Sequence, residues 1–274
     1  MQMTLSDLNK VISLAKEASD IILDFYRTQN FIQNMKADKT PVTSADLSSH
    51  KFLVEHLAQL TPNIPVLSEE SAHISLQERC QWERYWLIDP LDGTKEFINR
   101  TGDFSVMIAL VEHNRPCLGV IYSPIKKLCF YAVKDAGAWM QEAEHPAVLL
   151  PKNEKHLIGN KIKILISPHF DVNYLQGKLS TEYEYEYEKI GSASLKSCFI
   201  AAGKADAYLR IGPTGEWDTA AAECILKEVQ GDICNLSLQP LTYNQRDVLI
   251  NPDFIAMGPK NFPWCHILGK LYKG

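Results

Sequence analysis

The sequence predicts a layered α/β (α+β) protein in which helices flank a sheet-rich middle. Three observations predict it. Apolar residues keep helical spacing from Leu5 to Phe25, short apolar runs of strand character fill the stretch from Ile64 to Val133, and helix and strand patterns alternate again after Ile162.

The first element is a long amphipathic helix. Leu5, Leu8, Val11, Ile12, Ala15, Ala18, Ile22 and Phe25 line one side, and Thr4 followed by Asp7 forms its capping start. A polar loop from Lys36 to Val42 follows. Thr43-Ser44-Ala45-Asp46 opens a second helix with Leu47, Val54, Leu57 and Leu60 on its inner side. Strands are expected at Ile64 to Leu67, Tyr85 to Ile88, Phe104 to Val111, Leu118 to Tyr122 and Leu128 to Val133. Further on, Ile162 to Ile166 and Ala205 to Leu209 read as strands. Ser194 to Ala202 and Asp218 to Val229 read as helices, the second stopped by Gly231. The Glu-Tyr alternation from Glu182 to Glu188 has the period of a strand with one acidic, solvated edge. Glu142 to Lys155 is the expected boundary between an N-terminal α+β half (1–140) and a C-terminal α/β half (141–274) of one compact unit.

The length of 274 residues is enough for a sizeable core. A net charge of -5 gives no basic face for nucleic acid, so an anionic ligand would need metal ions or local donors. No run approaches the roughly 20 apolar residues of a membrane span, and the N-terminus has no signal-peptide pattern. The seven cysteines form no CxxC pair, and free thiols in a reducing cytoplasm suit them best. The eight histidines show no HExxH, which argues against zinc.

The chemistry concentrates in Trp86-Leu87-Ile88-Asp89-Pro90-Leu91-Asp92-Gly93-Thr94. An apolar strand runs into two carboxylates three residues apart. Mg²⁺ takes hard oxygen ligands at roughly 2.1 Å, and two Asp with an intervening carbonyl supply them from a rigid base. A helix starting at Gly93-Thr94 would turn free N–H groups toward a phosphate. Ser68-Glu69-Glu70 follows another apolar strand and offers a third metal carboxylate. Asp218 opens a later helix, where it reads as an N-cap beside which an anion is also favoured.

Asp89-Pro90-Leu91-Asp92-Gly93-Thr94 and Trp217-Asp218-Thr219-Ala220-Ala221 resemble the two signatures of the inositol monophosphatase-like superfamily. Pro41 to Asp46 and Ser68-Glu69-Glu70 match two further blocks in the same order, so the resemblance covers nearly the whole chain. Within it, Asp92-Gly93-Thr94-Lys95-Glu96-Phe97, Gly191 to Lys196 and Gly212 to Asp218 look like the CysQ-type 3′(2′),5′-bisphosphate nucleotidases. Two departures stand out. Ser167-Pro168-His169 lacks an Arg that the family often has there, and the Gly-Ser-Ser-Leu-Lys pattern is one residue longer.

The resemblance implies an α-β-α-β-α sugar-phosphatase fold and a Mg²⁺-dependent hydrolase. The implied reaction converts 3′-phosphoadenosine 5′-phosphate to AMP and phosphate, part of sulfur metabolism and sensitive to Li⁺. Carried over, Glu69, Asp89 and the Leu91 carbonyl hold one Mg²⁺, and Asp89, Asp92 and Asp218 hold a second, of two or three in all. Asp46 with Thr94 activates the attacking water, Glu69 shares in catalysis and Glu70 supports the same shell. Glu69, Leu91, Asp92, Gly93, Thr94 and Asp218 contact the substrate. Lys95, His169, Ser194 and Lys196 are further candidates for the nucleotide. An inositol or sugar monophosphatase using the same metals is the alternative, and a nucleotide or metal sensor without turnover is a third reading. The small-molecule nucleotide is the expected partner, the chain a monomer or homodimer. The implied location is the cytoplasm, free or peripheral on the inner membrane.

Overall fold

A computed structural model describes residues 5–36, 40–154, 157 and 159–273. Thr4, Ala37 to Lys39 and Lys155, which figure in the expectations above, lie outside the described residues. The chain runs α1 (Leu5–Thr28), β1 (Gln33–Met35), β2 (Pro41–Thr43), α2 (Ser44–Leu60), β3 (Val66–Ser68), a 3-10 turn over Glu69–Ser71, α3 (Leu76–Arg79), β4 (Arg84–Asp92), α4 (Thr94–Ile98), β5 (Ser105–Glu112), β6 (Arg115–Ser123), β7 (Leu128–Val133), β8 (Gly137–Glu142) and β9 (Val148–Leu149). It continues with β10 (Lys161–Ile166), β11 (Glu184–Lys189), α5 (Ala193–Ala201), β12 (Ala207–Arg210), α6 (Trp217–Glu228), β13 (Asp232–Asn235), β14 (Phe254–Met257) and α7 (Trp264–Leu268).

These elements stack as five layers. Seven strands in the order β3-β4-β5-β6-β7-β8-β9 form the first sheet, with only β3 and β4 parallel; five in the order β11-β10-β12-β14-β13 form the second. α1 and α2 cover the outer face of the first sheet, α5 and α6 lie between the sheets, and α7 packs on the far face of the second. Strand β4 shows why its sequence is apolar throughout rather than alternating. Trp86 and Ile88 join the core under α1 and α2, while Tyr85 and Leu87 join the core that α6 fills. That second core mixes Leu67 and Met107 of the first sheet with Leu165 and Phe254 of the second, so one apolar interior spans both halves. The first sheet extends past residue 140, since β8 runs to Glu142 and β9 pairs with it.

Helix α2 corrects one expectation. Its buried face is Ala45, Ser49, Leu53 and Leu57, at steps of four, and Leu47 points to solvent. The rotation follows from Asp46 and Ser49 turning inward, Ser49 Oγ donating to the Pro90 carbonyl at 2.9 Å. Helix α6 is closed by Gln230 in the left-handed region (φ 63), with Gly231 N–H donating to the Leu226 carbonyl, so Gly231 is not the residue that turns the chain. The Glu-Tyr alternation is the edge strand β11, with Glu184, Glu186 and Glu188 exposed. The sequence reading does not place β1, β2, α3, β8, β9, β13, β14 or α7; all but β8, which has six residues, are brief, and β2 falls at the end of the stretch expected to be a polar loop. All seven cysteines carry free thiols. Among the described residues no helix is long and apolar enough to cross a membrane.

Candidate active site

The two carboxylates of β4 stay on one side of the sheet because the strand bulges between them. Pairing with β5 is regular to Asp89 and resumes only at Asp92, across Pro90, which has no N–H to give the ladder. Asp89 is buried, and its Oδ1 accepts the Leu91 N–H at 3.0 Å. Asp92 is gripped from the other half of the chain. Its Oδ2 accepts the hydroxyls of Ser192 and Ser194, both at 2.5 Å, and the Ser194 N–H at 3.0 Å, so it sits on the start of α5. Gly93 turns the chain into α4 at φ 93; a Cβ there would lie 2.8 Å from the Asp103 carbonyl oxygen.

Thr94 Oγ1 donates to Asp46 Oδ1 at 2.9 Å and approaches the Leu91 carbonyl at 3.3 Å. The other oxygen of Asp46 accepts the Thr43 N–H at 2.8 Å and the Thr43 hydroxyl at 2.5 Å, closing a capping box on α2. Asp218 is not the N-cap of α6. It is the second helical residue, and its Oδ2 reaches back to the Gly215 N–H at 2.6 Å. Glu69 begins the turn after β3. Lys36 donates to Glu69 at 2.6 Å and to Glu70 at 2.8 Å.

Oxygens of Asp89, Asp92 and Asp218 all lie within 4.8 Å of one another. Burial, and then the neighbouring Glu69, Asp92 and Asp218, push the Asp89 carboxyl well above the usual range. Burial and then Asp92 and Glu69 do the same to Asp218. Burial also raises Glu69, against the pull of Lys36, and raises Glu70 to about 7. Asp46 is raised by burial, against its hydrogen bonds from Thr43. Such crowding is costly for carboxylates and is relieved by a cation. The donors are all oxygen, which suits Mg²⁺ rather than a soft metal, and the residues present fit it.

Glu69, Asp89, Asp92 and Asp218 border a cleft of about 350 Å³ that is also lined by Leu91, Gly93, Thr94, Lys95, His169, Lys196 and Arg210. Lys95 and His169 are exposed there. Two expected nucleotide contacts prove to be internal supports. Ser194 is fully buried beneath Asp92, and its hydroxyl also meets Ser105 Oγ at 2.6 Å. Lys196 borders the cleft but is buried, which lowers its pKa to about 8 even with Asp92 and Glu96 nearby. Its Nζ donates to the carbonyls of Ser192 (2.6 Å), Ile190 (3.1 Å) and Gly191 (3.4 Å), which uses its protons to hold the turn before α5.

Arg210, Ser192 and Lys36 were missed. Arg210 ends β12, which pairs with β10 through Ile164–Ala207 and Leu165–Tyr208, and both Arg210 and Ser167 line the cleft. An arginine lacking from Ser167-Pro168-His169 thus stands on the adjacent strand. Its position two residues before the Gly212 to Asp218 block was the available signal.

The chain belongs to the inositol monophosphatase family, whose model matches residues 5–262. Within it, the chain is 44% identical over 260 residues to a Haemophilus influenzae protein named 3′(2′),5′-bisphosphate nucleotidase CysQ, covering 95% of this chain and 96% of that one. The Escherichia coli protein of that name is 38% identical over 248 residues, covering 90% and 98%. The crystal structure of CysQ from Bacteroides thetaiotaomicron, described as a bacterial member of the inositol monophosphatase family, superposes with a TM-score of 0.75 at 32% identity, covering 90% and 95%. The α-β-α-β-α layering is the fold of that family.

Proposed function

We propose that this chain is a phosphomonoesterase that removes the 3′-phosphate of 3′-phosphoadenosine 5′-phosphate, giving AMP and phosphate. The carrying observation is that one cleft joins an oxygen-only carboxylate cluster to Arg210, His169 and Lys95. The first suits a phosphate neutralised by Mg²⁺, and the second suits another anionic group on the same substrate. An inositol monophosphate needs only the first. The names of the relatives support the same substrate class.

Glu69, Asp89 and the Leu91 carbonyl would hold one Mg²⁺, and Asp89, Asp92 and Asp218 a second, with Glu70 supporting Glu69. When bound, these ions neutralise the phosphoryl oxygens, lower the pKa of the attacking water and stabilise the leaving alkoxide. The Thr94 hydroxyl takes a proton from that water while passing its own to Asp46, whose burial makes it the stronger base. The N–H groups of Gly93 and Thr94 cradle the phosphate. No covalent nucleophile is needed, because phosphoryl transfer depends on positioning and charge neutralisation. The free thiols fit a reducing cytoplasm as the place of reaction.

Phosphate release should be measured with 3′-phosphoadenosine 5′-phosphate, inositol 1-phosphate and fructose 1,6-bisphosphate, in Mg²⁺ and in chelator. The nucleotide should lead in kcat/KM by about a hundredfold or more, and chelator should abolish release. Equal rates on inositol 1-phosphate would favour the monophosphatase reading, and binding without release would favour a sensor.

A further inference from the structure

We propose that Glu96 is the specificity-determining residue for the sugar of the substrate, its carboxylate accepting a hydrogen bond from the hydroxyl next to the carbon that carries the scissile phosphate. The inference rests on the nucleotidase reading and deepens it.

Three segments hold Glu96 in place. Its neighbour Phe97 is buried among the rings of Tyr26, Phe31 and Phe104, with centroids 5.5, 5.1 and 5.5 Å away, which fixes the rotation of α4. The Glu96 carbonyl accepts the Thr101 N–H at 3.1 Å and the Thr101 hydroxyl at 3.4 Å. Gly191 lies against the side chain itself. A Cβ at Gly191 would come within 2.5 Å of Glu96 Cγ and 2.7 Å of Asp103 Cβ, so a larger residue there would push Glu96 away. The side chain is half-buried and lines the cleft beside Lys95. Such an arrangement presents an acceptor already oriented before the ligand arrives.

Among the described residues no side chain donates to this acceptor. Only the backbone N–H of Glu96 itself approaches the carboxylate; among the described residues no other side chain is hydrogen-bonded or ion-paired with it. Lys196 and His169 lie close enough to feel its charge, yet neither is hydrogen-bonded to it, and Lys196 gives its protons to the carbonyls of Ile190, Gly191 and Ser192. A carboxylate partly withdrawn from water gains most from a donor supplied by the ligand. Glu96 is two residues from Thr94 and four from Asp92, so that donor must sit near the scissile phosphate. The ribose of a nucleoside 3′,5′-bisphosphate has one free hydroxyl, at 2′, directly beside the 3′-phosphate. The base amino group is a donor too, but it lies at the far end of the nucleoside.

The test compares kcat/KM of the wild type, Glu96→Gln and Glu96→Ala on 3′-phosphoadenosine 5′-phosphate and on its 2′-deoxy counterpart. The wild type should prefer the ribose form by about 10- to 100-fold. Glu96→Ala should bring the ratio close to one, the loss falling on the ribose substrate, and Glu96→Gln, which keeps an acceptor oxygen, should lie between. A wild type without preference overturns the proposal however the variants fold. Equal losses on both substrates in Glu96→Ala overturn it as well, since they mark a structural role. Hydrolysis of neither nucleotide by the wild type overturns the nucleotidase reading itself. Hydrolysis of the ribose form with a ratio that Glu96→Ala leaves unchanged removes the Glu96 assignment alone.

Discussion

The hydroxyl of Thr94 lies 2.9 Å from Asp46 Oδ1, joining the turn after β4 to the first turn of α2 across 48 residues of sequence. The second oxygen of that carboxylate is occupied by Thr43, so Asp46 caps a helix and, in the proposed mechanism, would also receive the proton passed on by Thr94. Thr94→Val should lower kcat by about 10²- to 10⁴-fold while leaving KM and Mg²⁺ affinity nearly unchanged. Asp46→Asn should do the same and also lose about 1 kcal/mol of stability through the cap. The double variant should be no slower than the slower single one. Single-turnover rates paired with melting curves check this, and additive rate losses would reject the dyad.

Asp92→Asn keeps the shape of the side chain and removes its charge. The hydroxyls of Ser192 and Ser194 would still have an oxygen to bond, so the fold should survive. Mg²⁺ affinity by calorimetry should fall by at least about tenfold, and turnover more steeply. Near-wild-type turnover would remove Asp92 from the metal set.

The chelator-treated protein should grow less stable as pH rises. Asp89 and Asp218 are raised well above the ordinary range, and Glu70 is raised from 4.5 to about 7. A carboxyl whose folded pKa exceeds its unfolded value binds more protons when folded, so stability is lost as pH climbs between the two values. For Glu70 that window runs from 4.5 to about 7. Melting in chelator should therefore occur at a lower temperature at pH 8 than at pH 5. Added Mg²⁺ should raise the pH 8 value more, and Asp89→Asn in chelator should melt above the wild type at pH 8. The opposite order for Asp89→Asn would contradict the crowded-carboxylate account.

Arg210→Met should discriminate between one-phosphate and two-phosphate substrates. On 3′-phosphoadenosine 5′-phosphate, kcat/KM should drop by about 10- to 100-fold through loss of a charge-assisted contact. On adenosine 3′-monophosphate, which lacks the remote phosphate, the change should be small. Parallel progress curves on the two nucleotides provide the check. Equal losses would move Arg210 away from the second anion.

Much of the candidate site was legible because its chemistry is local. Asp89, Leu91, Asp92, Gly93 and Thr94 follow one another at the end of a strand whose apolar run marks it as buried. The blocks around Asp46, Glu69 and Asp218 could be attached to it through the family pattern. What stayed hidden depends on contacts between distant segments. Ser192 and Ser194 grip Asp92 from 100 and 102 residues away, and Arg210 reaches the cleft by strand pairing. Lys196 was misjudged for a related reason. A lysine near a phosphate motif reads as an anion contact, and only its burial against three backbone carbonyls shows where its protons go. Leu47 was placed inward by its side chain alone, whereas the polar pair Asp46 and Ser49 decides the rotation of α2.

The hold of α5 on Asp92 has a consequence for the life of the polypeptide. A nascent chain that has completed β9 already carries Glu69, Asp89 and Asp92, yet the serines that orient Asp92 and the last carboxylate, Asp218, are still untranslated. On the proposed mechanism, hydrolysis would therefore begin only after synthesis has passed α6 and the later strands have docked. A product that stops before α6 would then be catalytically silent, and nucleotide turnover in a cell would report the number of fully assembled molecules rather than the amount of polypeptide made.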